Sequence, residues 1–145
     1  MYDFAKAALP LADPMFQACP IQASLGVLGR KWALLVLRDV AWFPGTRFSD
    51  LLRNNRGLTP RVLTMRLKEL RAEGFLERVP GADAREIGYR LTAKGHDVVP
   101  ILAAFIQFGT RHHAGKVFQD RKARSMEQLF GGAEADLFAP HDAER

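Results

Sequence analysis

Gly57-Leu58-Thr59-Pro60-Arg61-Val62-Leu63-Thr64-Met65-Arg66-Leu67-Lys68-Glu69-Leu70-Arg71-Ala72-Glu73-Gly74 is the stretch that decides the fold. A threonine followed by proline is a helix start. The hydroxyl accepts an orphan amide proton at the N-cap, and proline at the first helical position gives up only an amide that had no intrahelical acceptor. The spacing predicts a helix from Pro60 to Glu73, with Leu63, Leu67 and Leu70 on one side at i, i+4 and i+7. Arg61, Thr64, Met65, Lys68 and Ala72 fall mostly on the other side, and Gly74 is the expected stop.

Upstream, Ile21 to Ala41 reads as helix with a break near Gly26 or Gly29. Leu25, Leu28, Trp32, Leu35 and Val36 keep three- and four-residue spacing, and Leu34 and Leu37 widen the apolar face. Trp42-Phe43-Pro44-Gly45 is a turn. Ser49 is the expected cap of a short helix through Leu51 and Leu52 to about Arg53, and Asn54-Asn55-Arg56-Gly57 is the next turn.

Downstream, Phe75 to Val79 and Ile87 to Leu91 read as two strands joined by the turn-rich tip Pro80-Gly81-Ala82-Asp83-Ala84. Thr92 caps a further helix containing Val98, Val99, Ile101, Leu102, Phe105, Ile106 and Phe108, which Pro100 is expected to bend. That helix is more apolar than one face requires, and the surplus suits a dimer interface at Val99, Leu102, Phe105 and Ile106. Phe118, Met126, Leu129 and Phe130 permit another helix, ended by Gly131-Gly132. The expected organisation is an arm over residues 1–19, a folded unit over 20–95, dimerisation helices over 96–130 and a flexible tail over 131–145.

Helix, short helix, tight turn, capped longer helix and hairpin, in that order, describe a mainly α, dimeric fold with a small β-hairpin wing: a winged helix-turn-helix. An α-helix fits the major groove, where base edges present distinguishable donors and acceptors. The Thr59-Pro60 end suits a phosphate, while Arg61, Thr64, Met65 and Lys68 would face the groove. Arg78, Arg85 and Arg90, on or beside the hairpin, are candidates for flanking phosphates or the minor groove.

Charge agrees. The net charge of +5 is concentrated between Pro20 and Pro100, where 14 Lys and Arg face 8 Asp and Glu, whereas Ile101 to Arg145 is balanced. That distribution suits a polyanionic partner, double-stranded DNA. No stretch approaches the roughly 18 uninterrupted apolar residues of a membrane helix. The first residues lack an export signal, and the single cysteine, Cys19, cannot form an internal disulfide. Both point to a cytoplasmic protein.

The chain resembles the HxlR-type family of bacterial winged helix regulators, relatives of the MarR regulators. The residues that carry the likeness begin at Cys19-Pro20-Ile21 and Leu28-Gly29-Arg30-Lys31-Trp32-Ala33-Leu34-Leu35-Val36-Leu37-Arg38. They continue through Arg47-Phe48-Ser49-Asp50-Leu51, Gly57 to Leu70, Glu73-Gly74-Phe75-Leu76-Glu77-Arg78 and Tyr89-Arg90-Leu91-Thr92-Ala93-Lys94-Gly95. The resemblance implies a homodimer joined by terminal helices, with the helix opening at Thr59-Pro60 as recognition helix. Two departures stand out. Arg30 replaces the family's usual second glycine and is a candidate phosphate contact, and the wing segment from Ala82 to Gly88 differs from the family's.

Some members resembling this chain sense oxidants or electrophiles through a cysteine at the position of Cys19. The alternative is a buried, inert thiol. His112 and His113 are adjacent, His96 and His141 are distant in sequence, and no acidic cluster follows a ligand spacing, so neither a metal nor a cofactor is expected. No glycine-rich phosphate loop, nucleophile elbow or metal-binding helix is present to suggest an enzyme. The competing reading is a winged helix used to bind protein, for which an apolar outer face on the Thr59–Glu73 helix would be needed.

Overall fold

The computed structural model describes residues 17–81 and 85–139. Helix α1 (Pro20–Leu28) and α2 (Ala33–Trp42) are separated by a kink at Gly29–Trp32, so that the expected break falls at Gly29 while Gly26 lies within α1. Trp32 adopts a left-handed backbone conformation, φ 77°, unusual for a bulky side chain. Its indole lies beside Gly57, in the turn before the next long helix. After α2 come strand β1 (Thr46–Arg47), α3 (Phe48–Asn54) and α4 (Pro60–Ala72).

Helix α4 has the predicted ends. Thr59 Oγ1 accepts the Val62 amide, Pro60 opens the first turn, and Gly74 takes φ 79° just beyond the last. Leu63, Leu67 and Leu70 are buried against Val36, Leu37 and Val40 of α2, Leu51 of α3, and Leu58. Full burial of one such leucine contributes about 1.5–3 kcal/mol.

Three expectations need correction. Ser49 does not cap α3. Asp50 does, its Oδ2 accepting the Arg47 amide at 3.2 Å, because a carboxylate one residue further on reaches back across the first turn. β1 is a strand where none was expected, pairing Thr46 with Tyr89 and Arg47 with Gly88, since two residues are too few to show an alternating pattern. Pro100 starts a helix and does not bend one. Thr92 caps the short α5 (Ala93–His96), a turn follows, and α6 (Val99–His112) begins one residue before the proline. At that position its missing N–H costs no helical bond.

Strands β2 (Leu76–Pro80) and β3 (Ile87–Leu91) form the antiparallel hairpin, in register Leu76 with Leu91 and Arg78 with Tyr89, and β3 is central to the three-stranded sheet. Gly95 is enforced by packing, as a Cβ there would lie 2.2 Å from the Phe75 carbonyl oxygen. The last elements are α7 (Ala114–Val117), α8 (Met126–Phe130) and α9 (Glu134–Phe138). Gly131 ends α8 with φ 62°, and α9 packs back on α6. The arm residues 1–16, the tip residues 82–84 and the last six positions, 140–145, lie outside the described residues.

A buried polar network fixes the turn of the helix-turn-helix. Asp39 on α2 and Asn55 after α3 are each 4% exposed. Asn55 Nδ2 donates to Asp39 Oδ2 at 2.7 Å and to the Leu51 carbonyl at 2.8 Å, while Arg38 donates to Asp39 Oδ1 and to Asn55 Oδ1. Replacing Asn55 by alanine removes a hydrogen bond from a carboxylate sealed from water. Asn55→Ala is expected to lower unfolding free energy by about 2 kcal/mol. Urea denaturation measures it, and a loss under about 0.5 kcal/mol would contradict this role for the network.

Candidate nucleic-acid interface

The outer side of α4 is polar and cationic, not apolar. Arg61, Thr64, Lys68 and Arg71 follow one another at three- and four-residue steps, and all are exposed, with Met65 beside them. Thr64 Oγ1 donates its proton to the Pro60 carbonyl at 2.8 Å. Its remaining lone pairs can therefore accept from an amine such as that of adenine or cytosine. At the start of the helix Thr59 occupies the Val62 amide and Pro60 has none, so the first turn offers a phosphate the Arg61 amide alone, fewer donors than the sequence suggested.

The arginines and lysines divide into two groups by their partners. Arg66, on the flank of α4, is largely covered: Nε donates to the Lys31 carbonyl at 2.8 Å and NH1 bonds Glu69. Glu69 also lies 3.6 Å from Arg30, so the residue expected to add a phosphate contact is ion-paired. This tie fixes α4 against the α1–α2 kink. Arg47 bonds both carboxylate oxygens of Glu86 at 2.7 Å and Asp50 at 3.2 Å, joining the hairpin to the start of α3. Hydrogen bonding to Glu86, and then to Asp50, raises the Arg47 pKa, and the Arg47 guanidinium holds the Asp50 carboxyl below its ordinary value. By contrast, no carboxylate pairs with Arg61, Lys68, Arg71 or Arg78 among the described residues.

The hairpin arginines do not act as one group. Arg78 shares a face with Leu76 and Tyr89, whereas Arg90 points to the opposite face and pairs with Glu77. Arg85 is exposed beside the tip. The structure brings Arg78 next to Lys68 and Arg71, across a shallow groove between α4 and β2. Arg71 was not singled out from the sequence, although its place three residues after Lys68 was a visible signal.

Of the residues expected at a dimer interface, Leu102 is buried in the chain's own core and Val99 packs against it. Ile106 is half-buried and Phe105 is 60% exposed. Phe105 joins Ile21 and Leu25 of α1, Leu35 of α2 and Ile101 along an open apolar groove of about 630 Å³. The first three were not foreseen as surface because their spacing fits a core-facing stripe equally well. Cys19 sits partly exposed immediately before α1.

A sequence profile described as HxlR-like helix-turn-helix matches residues 27–116, which hold both the turn locked by Asn55 and the cationic α4. The chain belongs to the HxlR-like helix-turn-helix family. In coarse terms it is a DNA-binding regulator of the winged helix-turn-helix type. It is 37% identical over 105 residues to the uncharacterized HTH-type transcriptional regulator sll1512 of Synechocystis, covering 68% of this chain and 76% of that one. Across curated relatives of this kind it spans from 61% to 88% of their length. Among solved structures, the redox regulator HypR in its oxidized form is similar over 63% of this chain and 94% of its own, with 29% identity and a TM-score of 0.58. A MarR-family protein of Porphyromonas gingivalis shares the fold, with TM-score 0.61 and 24% identity over 70% of this chain and 99% of that one. Among the described residues, no helix is long and apolar enough to cross a membrane, and no group of three or more His, Cys, Asp or Glu is arranged to hold a metal.

Proposed function

We propose that this HxlR-like protein is a homodimeric repressor that lays α4 of each protomer into the major groove of a pseudo-palindromic operator, with half-sites about one helical turn apart. The observation that carries the reading is the outer stripe of α4. Arg61 and Lys68 are exposed and, among the described residues, lack acidic partners, while Arg30, Arg47 and Arg66 are tied to carboxylates. Thr64 and Met65 lie between them as candidate base contacts, the methionine against a thymine methyl. Thr59 and Pro60 set the helix start at the backbone, and Arg78, Arg85 and Arg90 belong to flanking contacts, with Arg90 weakened for that task by its bond to Glu77. Repression follows by excluding polymerase from the promoter.

The exposed groove lined by Leu25, Ile101 and Phe105 supports the dimer. Such a surface, facing water, is more readily accounted for by a second copy than by a monomer. Cys19 supports a second layer of control, in which a small oxidant or electrophile reacts with the thiol. The thiol is partly exposed at a helix start, and a structural relative is described as a redox regulator.

Fluorescence anisotropy with a labelled duplex from upstream of the gene is expected to show binding that weakens steeply with salt. Arg61→Ala and Lys68→Ala should each weaken it by about tenfold. If neither substitution changes affinity, the DNA face lies elsewhere, and salt-insensitive or absent binding favours the protein-binding module. In sedimentation, the wild-type chain should run as a dimer and Leu25→Glu combined with Phe105→Glu as a monomer. A dimer that persists in the double variant rejects this groove as the interface. Cys19→Ala should bind DNA normally in reducing buffer and no longer be released by a quinone, and unchanged quinone release would remove Cys19 from the mechanism.

A further inference from the structure

We propose that the groove between the end of α4 and strand β2 seats a DNA backbone phosphate, and that Arg71 is a DNA-contacting residue in it. The proposal rests on the DNA-binding reading of α4 and adds to it the strand flank of the helix. Three cations line the groove, Lys68 and Arg71 from successive turns of α4 and Arg78 from β2. Its one acidic side chain, Glu77, is bonded to Arg90 across the hairpin. Among the described residues none of the three cations has an acidic partner, so the groove holds a local positive excess on three exposed side chains from two elements. Like charges that line one groove repel one another, and an anion seated among them relieves that repulsion.

The size of the major groove says which part of DNA that anion is. A helix with its side chains is about 10–12 Å across and the groove is about 12 Å wide, so α4 alone fills it. Strand β2 lies beside α4 and cannot follow it in. The seam between them therefore meets the groove wall, which is sugar and phosphate, while Thr64 and Met65, a turn earlier on the stripe, stay over base edges. Arg71 is placed to give two planar N–H donors to one phosphate, the geometry a guanidinium offers and an ammonium does not. The contact carries no sequence information. Its effect is to set the register and tilt of the helix.

The test uses the full-length protein and two unrelated 30-base-pair duplexes, one A·T-rich and one G·C-rich, titrated by fluorescence anisotropy across a range of salt concentrations. For Arg71→Gln we expect affinity to fall by a similar factor, several-fold, on both duplexes, and the slope of log affinity against log salt to shrink by about 0.9, the share of one phosphate. Arg78→Gln should do the same, whereas Arg71→Lys should retain most of the slope. Thermal melting of each variant alongside wild type separates a lost contact from a lost fold. An unchanged slope and affinity in a folded Arg71→Gln variant overturns the proposal, as does a loss confined to one duplex, which would mark a base contact. Failure of the wild-type chain to bind either duplex, or binding without salt dependence, instead overturns the DNA-binding reading beneath it.

Discussion

The structure depends first on the direction in which α4 leaves the turn, and that direction is set by the hydrogen bonds among Arg38, Asp39 and Asn55. Apolar packing by Leu63, Leu67 and Leu70 holds α4 to the core, but a leucine stripe tolerates sliding and rotation by a few degrees. A buried carboxylate bonded to a buried amide does not, because every displacement leaves a polar atom without water or partner. Asn55 serves both sides of the turn. Its side chain grips α2, and its backbone carbonyl accepts the Leu58 amide that leads into α4. A second tie, from Arg66 to the Lys31 carbonyl and from Glu69 to Arg30, fixes the same helix against the α1–α2 kink. The exposed stripe is thereby held to one orientation.

A cation on the surface means little by itself, and several of those in the described residues have a local use. Arg47 joins the hairpin to α3, Arg38 serves the buried network, and Arg124 closes on Asp120 near the start of α8. Structural pairing takes up Asp39, Asp50, Glu69, Glu77 and Glu86 and leaves an excess of positive charge where α4 and β2 meet solvent. The same sorting accounts for Arg30. It departs from the family's usual glycine, and it strengthens a brace behind α4 where an added DNA contact was the expectation.

Helix α6 illustrates how one apolar segment divides its work. Leu102 and Ala103 are buried in the chain itself, while Ile101 and Phe105 emerge beside α1 and α2. A helix with apolar residues on more than one face can complete a small core and still present a surface to a second copy. A domain of this size has few other residues from which to build an interface.

The sequence by itself determined the elements whose signals are local. The Thr59-Pro60 start, the Gly74 stop, the leucine spacing of α4, the strand Ile87–Leu91 and the Thr92 cap are each set by chemistry within a few residues and stand where the sequence put them, with β2 one residue later than read and Thr92 capping a shorter helix. Tertiary structure alone decided what depends on residues far apart in the chain. The pairing of β1 with β3, the Asp39–Asn55 bond, the separation of Arg78 from Arg90 onto opposite faces and the meeting of Arg71 with Arg78 all required the chain to close on itself. The physical reason is one of range. Capping and periodicity act over one or two helical turns, whereas which cation keeps a partner and which is left exposed without one depends on carboxylates delivered by other elements.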